Sequence, residues 1–82
     1  MANQVDGQSV GRMVAVTPSD TVPFESCIGL CATGGGNIAV VCVGNTAPVT
    51  IAVNAGDMYP IRAKQVYSTG TTATGIVALY QN

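Results

Sequence analysis

Apolar residues along this chain come in short alternating runs, and glycine, proline, asparagine or aspartate breaks each run within about ten residues. Residues 9–16 would place Val10, Arg12, Val14 and Val16 on one face of an extended segment, with Met13 and Ala15 on the other. Residues 26–32 set Ile28 and Leu30 opposite Cys27, Gly29 and Cys31. Residues 38–43 are apolar on both sides, the pattern of a central strand covered on each face. Residues 49–53 alternate Val49, Ile51 and Val53 with Thr50 and Ala52. Residues 58–68, broken near Pro60, put Ile61, Ala63, Gln65 and Tyr67 on one side and Arg62, Lys64, Val66 and Ser68 on the other. Residues 76–80 close the series, with Ile76, Ala78 and Tyr80 opposite Val77 and Leu79.

Turn chemistry separates these runs. Thr17-Pro18-Ser19-Asp20, Gly44-Asn45-Thr46 and Asn54-Ala55-Gly56-Asp57 are turns, Thr33-Gly34-Gly35-Gly36-Asn37 reads as a loose hairpin connection, and residues 69–75 form a long polar link with a glycine near each end. No segment carries a helical period. The pattern predicts an all-β fold, a small antiparallel sandwich or barrel of six to seven short strands. Residues 9–82 would form a single β domain behind a flexible N-terminal arm, residues 1–8, which is polar and aperiodic.

Composition adds a second constraint. Charged residues make up 9% of the 82 residues, against about 25% in typical soluble domains. Between residues 36 and 80 the charges are Asp57, Arg62 and Lys64. A chain this short buries only roughly 60–65% of the surface its unfolded form exposes, so its own core is thin. Small scaffolds make up the deficit with disulfides, metals or oligomerisation, and a charge-poor surface favours oligomerisation.

The same composition excludes several partners. Three basic residues that never cluster cannot supply the counterion release that nucleic-acid binding requires. They are also too few to dock on an anionic membrane. The N-terminus has no basic region followed by an apolar core, so no secretory leader is expected and the protein should be made in, and stay in, a reducing cytoplasm. Cys27 and Cys31, four apart on an extended strand, would be about 13 Å from each other, too far for a disulfide. A cross-strand bond from Cys42 to either remains geometrically open, and reduced thiols packed as small apolar groups are the expected state.

Chemistry is sparse. The chain has no histidine, and its carboxylates Asp6, Asp20, Glu25 and Asp57 are scattered beside turns or in the arm. No thiol has a base beside it, no paired Cys-x-x-Cys spacing suggests zinc, and Gly34-Gly35-Gly36 leads into a strand and not into the helix a phosphate loop feeds. No catalytic residue, cofactor or metal site is expected, and the chain is not expected to be an enzyme. Arg62 and Lys64 fall on one predicted strand face with Asp57 in the turn before them. Such charges commonly guard a sheet edge. Their functional alternative is a contact in which Asp57 of one copy meets Arg62 or Lys64 of the next. Tyr59, Tyr67 and Tyr80 could serve the same interface, or form a stacking platform in a small carbohydrate-binding β module. Val41 and Val43, or Val77 and Leu79, would pack inward or against a second subunit.

From Pro18 onward an ordered set of motifs appears: Pro18-Ser19-Asp20, Val22-Pro23-Phe24, Cys27-Ile28-Gly29-Leu30 and Gly36-Asn37-Ile38-Ala39-Val40-Val41. Gly56-Asp57-Met58-Tyr59-Pro60-Ile61-Arg62, Thr69-Gly70-Thr71-Thr72-Ala73-Thr74-Gly75 and Ile76-Val77-Ala78-Leu79-Tyr80 follow. Over residues 18–80 this order resembles the small head-spike-base and capsid decoration proteins of tailed bacteriophages and gene transfer agents. Residues 1–17 and the cysteines are not part of the resemblance. It implies a structural protein of the virion, assembled in the host cytoplasm and sitting on the capsid exterior. The implied state is a homo-oligomer, trimer or pentamer, docked on the major capsid protein and able to hold a fibre protein.

Overall fold

The computed structural model describes residues 10–81; the arm expected over residues 1–8 lies outside the described residues. Among the described residues there are seven strands: β1 (Arg12–Ala15), β2 (Gly29–Gly34), β3 (Gly36–Cys42), β4 (Val49–Val53), β5 (Met58–Tyr59), β6 (Ala63–Tyr67) and β7 (Thr74–Tyr80). They form two antiparallel sheets, one ordered β1-β7-β2-β5 and the other β4-β3-β6. The fold is therefore all-β, as the alternating runs predict, and of the two expected forms it is the sandwich.

Between the sheets lie Leu30, Ala32, Ile38, Val40, Val53, Val66, Ile76 and Ala78, all buried. Partners directly opposite each other in a ladder point to the same face. The pairs Leu30 with Ala78 and Ile38 with Ile51 thus mark the inner faces. The two longest strands, β3 and β7, sit inside their sheets and are largely apolar at both parities.

The glycine run does not make the expected hairpin. β2 and β3 belong to different sheets, and the chain turns a corner at Gly35 to pass from one to the other. The corner is tied down by Asn37, whose C=O accepts from the Thr72 and Ala73 N–H groups at 2.8 and 3.0 Å. Its own N–H donates to Thr72 Oγ1 at 2.9 Å. Gly36 has φ +155°, and a Cβ there would stand 2.7 Å from Thr72 Oγ1 and 2.9 Å from Ala73 N. Only a residue without a side chain lets the two crossing segments meet this closely. Glycine clusters suit a hairpin and a corner equally well, so the local sequence could not separate them.

The break at Pro60 is a second corner, with β5 on the four-stranded sheet and β6 on the other. The alternation expected along residues 61–67 also fails. The β3–β6 register slips between Val41–Gln65 and Cys42–Ala63, leaving Lys64 as the extra residue of a bulge. Ala63 and Val66, an odd spacing apart, therefore both reach the core. The far side of β6 is closed by residues 19–27: the N–H groups of Ser19, Phe24 and Cys27 donate to the carbonyls of Val66, Lys64 and Ala63 at 2.8, 2.8 and 3.0 Å.

Cys27, Cys31 and Cys42 are free thiols. Cys27 and Cys42 flank Ala63 from opposite sides, Cys42 as its ladder partner and Cys27 through its hydrogen bond. That places them two strand spacings apart, about 9.6 Å, beyond disulfide reach.

Candidate interaction surface

The outer face of the four-stranded sheet follows directly from the pairing. Leu30, Ala78 and Tyr80 point inward, so their neighbours along each strand point outward. Met13 pairs with Leu79 and Ala15 with Val77. Leu79 pairs with Gly29, Val77 with Cys31, and Cys31 with Met58. The result is a sheet face four strands wide on which Met13, Ala15, Val77, Leu79, Cys31 and Met58 carry no charge. Met13 is 60% exposed and Met58 58%.

At one end this face hollows into a groove of about 310 Å3 lined by Val10, Ile28, Gly29, Met58, Tyr59, Pro60 and Leu79. Gly29 shapes it, because a Cβ at that position would come within 3.3 Å of Leu79 Cδ1 and 3.0 Å of the Tyr59 carbonyl. Leu79 itself is only 3% exposed. Exposed, flexible methionines around an apolar hollow suit a surface that adapts to a partner. The arrangement offers shape and apolar area and no set of acid, base and nucleophile.

The residues singled out from sequence are not gathered there. Asp57 lies in the β4–β5 turn, where Asn54 Nδ2 donates to Asp57 Oδ2 at 3.4 Å. Arg62 precedes β6 and gives its carbonyl to the Val43 N–H at 3.0 Å. Lys64 occupies the bulge, so Arg62 and Lys64 do not share a regular strand face. Among the described residues the ion pair is Arg12–Glu25, at 3.2 Å, and none joins Asp57 to Arg62 or Lys64.

The tyrosines also separate. Tyr59 shares the inner parity of Leu30, and its Oη accepts from the Asn54 N–H at 2.7 Å. Tyr67 pairs with Ala39 on the outer face of the three-stranded sheet. Tyr80 is 5% exposed, its hydroxyl donating to the Glu25 carbonyl at 2.7 Å and its ring lying 4.2 Å beneath the Arg12 guanidinium. Burial pushes the Tyr80 hydroxyl above its ordinary pKa. Tyr80 is a core residue and not a surface contact; with Tyr59 packed against the same core and Tyr67 on the other sheet, the three tyrosines make no stacking platform.

Of the two apolar pairs expected to pack inward or meet a subunit, Val41 is buried while Val43 is exposed, and Leu79 is buried while Val77 is half-buried. Met13, Cys31 and Met58 were not singled out from the sequence. The available signal was the even apolar parity of residues 76–80, which requires cover on both faces, and Met58 beside it was hidden by the corner at Pro60.

No protein-family model matches the chain, and no curated protein matches it. Among solved structures it is similar to a chain in the capsid of a native GTA (gene transfer agent) particle computed with C5 symmetry. The identity is 32% and the TM-score 0.80, with 93% of this chain and 90% of that chain covered.

Proposed function

We propose that this chain, which belongs to the capsid-related proteins of gene transfer agents and phages, is a non-catalytic decoration or head-spike-base protein on the capsid exterior. In this reading it self-associates into a trimer or pentamer, docks on the major capsid protein and gives a fibre its seat. The observation that carries the reading is the uncharged outer face of the four-stranded sheet, with its exposed methionines and its groove of about 310 Å3. A face of that kind is costly to leave in water and gains about 25 cal/mol for each Å2 of apolar surface covered. We assign it to the capsid shell. Asp57, Arg62 and Lys64 would then set orientation between neighbours more than affinity.

The test is made on intact particles. Tagged at its C-terminus, the chain should co-sediment with capsids, and the tag should be reached by antibody without opening them. A chain left entirely in the soluble fraction, or a tag reached only after disruption, overturns the reading.

A further inference from the structure

The sheet edges of this sandwich are treated unequally. The β6 edge is closed by residues 19–27, and it is also where charge collects, with Lys64 in β6 and Asp20 and Glu25 in the covering segment. The β5 edge is two residues long and ends at Pro60. Shortness, proline, charge and cover are the usual means of preventing edge-to-edge pairing. β4 has less of this protection: Val49–Val53 is five residues long, uncharged and terminal in its sheet, with Pro48 just before it and no covering segment among the described residues. β1 is terminal in the other sheet and exposed throughout. Its Arg12 is engaged by Glu25 and the Tyr80 ring. Of the six large exposed hydrophobic residues among those described, Met13, Val14 and Val49 lie on these two strands, and Val43 lies in the turn before β4.

The hydrogen bonds identify which backbone groups are open. The Asn37 N–H and C=O and the Ala39 N–H bond to residues 71–73, away from β4. Their β4 partners Ala52 and Thr50 are therefore in non-hydrogen-bonded pairs and turn their own N–H and C=O outward. On β1 the Val16 N–H donates to the Ile76 carbonyl at 2.9 Å, so by alternation Met13 and Ala15 present theirs outward. Each edge thus offers two donors and two acceptors at a two-residue spacing.

The edges also lie on opposite flanks. β1 is on the side where residues 22–24 run beside β6, sharing a cleft with Val22 and Phe24. β4 is on the side of β5, joined to it by the turn at residues 54–57. Complementary edges on opposite flanks build head-to-tail contacts, the kind that close into rings.

We infer that β4 of one copy pairs with β1 of the next, through Thr50 and Ala52 on one side and Met13 and Ala15 on the other, to form the ring. This rests on the oligomeric reading above and supplies its contact. It also answers a shortage of area. A sheet face four strands wide and about five residues long covers on the order of 300 Å2, against about 800 Å2 per partner in a standard interface. The outer face alone is too small to hold an assembly, and continued strand pairing adds directional bonds.

The test uses the full chain and two edge prolines, Ala52→Pro and Ala15→Pro, whose lost N–H groups serve no bond among the described residues of the subunit. Light scattering after size-exclusion chromatography should give a closed ring for the parent and a monomer for each variant. An equimolar mixture of the two variants should give a dimer, because one intact β4 and one intact β1 remain. Thr50→Lys, a charge on the open edge, should lower assembly at least tenfold and serves if a proline variant loses the parent circular dichroism. A parent that is monomeric overturns the inference, as does an assembly of parent mass in Ala52→Pro, Ala15→Pro or Thr50→Lys. A ring that never joins particles overturns the capsid reading alone. A monomer found on particles overturns the strand pairing alone.

Discussion

The two sheets present opposite outer surfaces although both belong to one small sandwich. On the four-stranded sheet the outward positions are Met13, Ala15, Val77, Leu79, Cys31 and Met58. On the three-stranded sheet they include Asn37, Thr50, Gln65 and Tyr67 beside Ala39, Val41 and Ala52. The second surface is finished by its own loop. Thr71 Oγ1 donates to the Tyr67 carbonyl at 2.5 Å and accepts from the Ala39 N–H at 3.0 Å, while Asp20 accepts from the Thr69 N–H at 2.9 Å and from its hydroxyl at 2.5 Å. Among the described residues the first surface has no such polar loop over it. A face satisfied by its own polar loop is suited to water, and the proposed docking assigns the other, with Met13 and Met58 exposed, to a partner.

The largest expected effect comes from placing a charge on the apolar face. Val77→Glu should reduce incorporation into particles more than tenfold, a penalty of at least about 1.4 kcal/mol, while Gln65→Glu on the other face leaves it unchanged. Quantitative mass spectrometry of purified particles checks both. Equal incorporation of the two variants would remove the functional distinction between the faces.

Next is the corner that joins the sheets. Gly36→Ala adds a Cβ where Thr72 and Ala73 already press and should cost about 2–3 kcal/mol. For a domain of this size that lowers the melting temperature by roughly 10–20 °C, measurable by calorimetry. Tyr80→Phe removes the bond to the Glu25 carbonyl and should cost about 1 kcal/mol. Because burial raises the folded-state pKa of Tyr80 above 10.0, its contribution is present below pH 10.0 and lost as pH rises through the folded value. The Phe variant should therefore show a flatter alkaline limb in a stability-against-pH series.

The smallest effect concerns the polar loop. Hydrogen bonds from Thr69, then from Ser68, hold the Asp20 carboxyl below its ordinary 3.8. Its stabilisation is complete above the unfolded value and fades as pH falls through the lower folded one. Asp20→Asn should flatten the acid limb and leave incorporation into particles untouched. A change in incorporation would extend the docking surface to the polar side.

Much of this was legible in the residues themselves. The runs at 49–53 and 76–80 read as strands because alternation and β-branching act locally, and the double apolar parity at 38–43 marked a central strand. The glycine corner was not legible, since its meaning depends on Thr72 arriving from 36 positions away. The Arg62–Lys64 face failed for a related reason: one extra residue in a bulge, decided by how β6 meets β3, reset the alternation. Tyr80 was misjudged because no pattern announces that Glu25, 55 residues back, supplies the acceptor for its hydroxyl.

Period, propensity and composition are properties of neighbours along the chain, so the residues alone already mark it as charge-poor and strand-rich. Which strands share a sheet, and with that which outward residues form one apolar face and which edges stay open among the described residues, is set by the fold. Those depend on pairings between residues far apart in sequence, where a shift of one position sends every side chain to the other face.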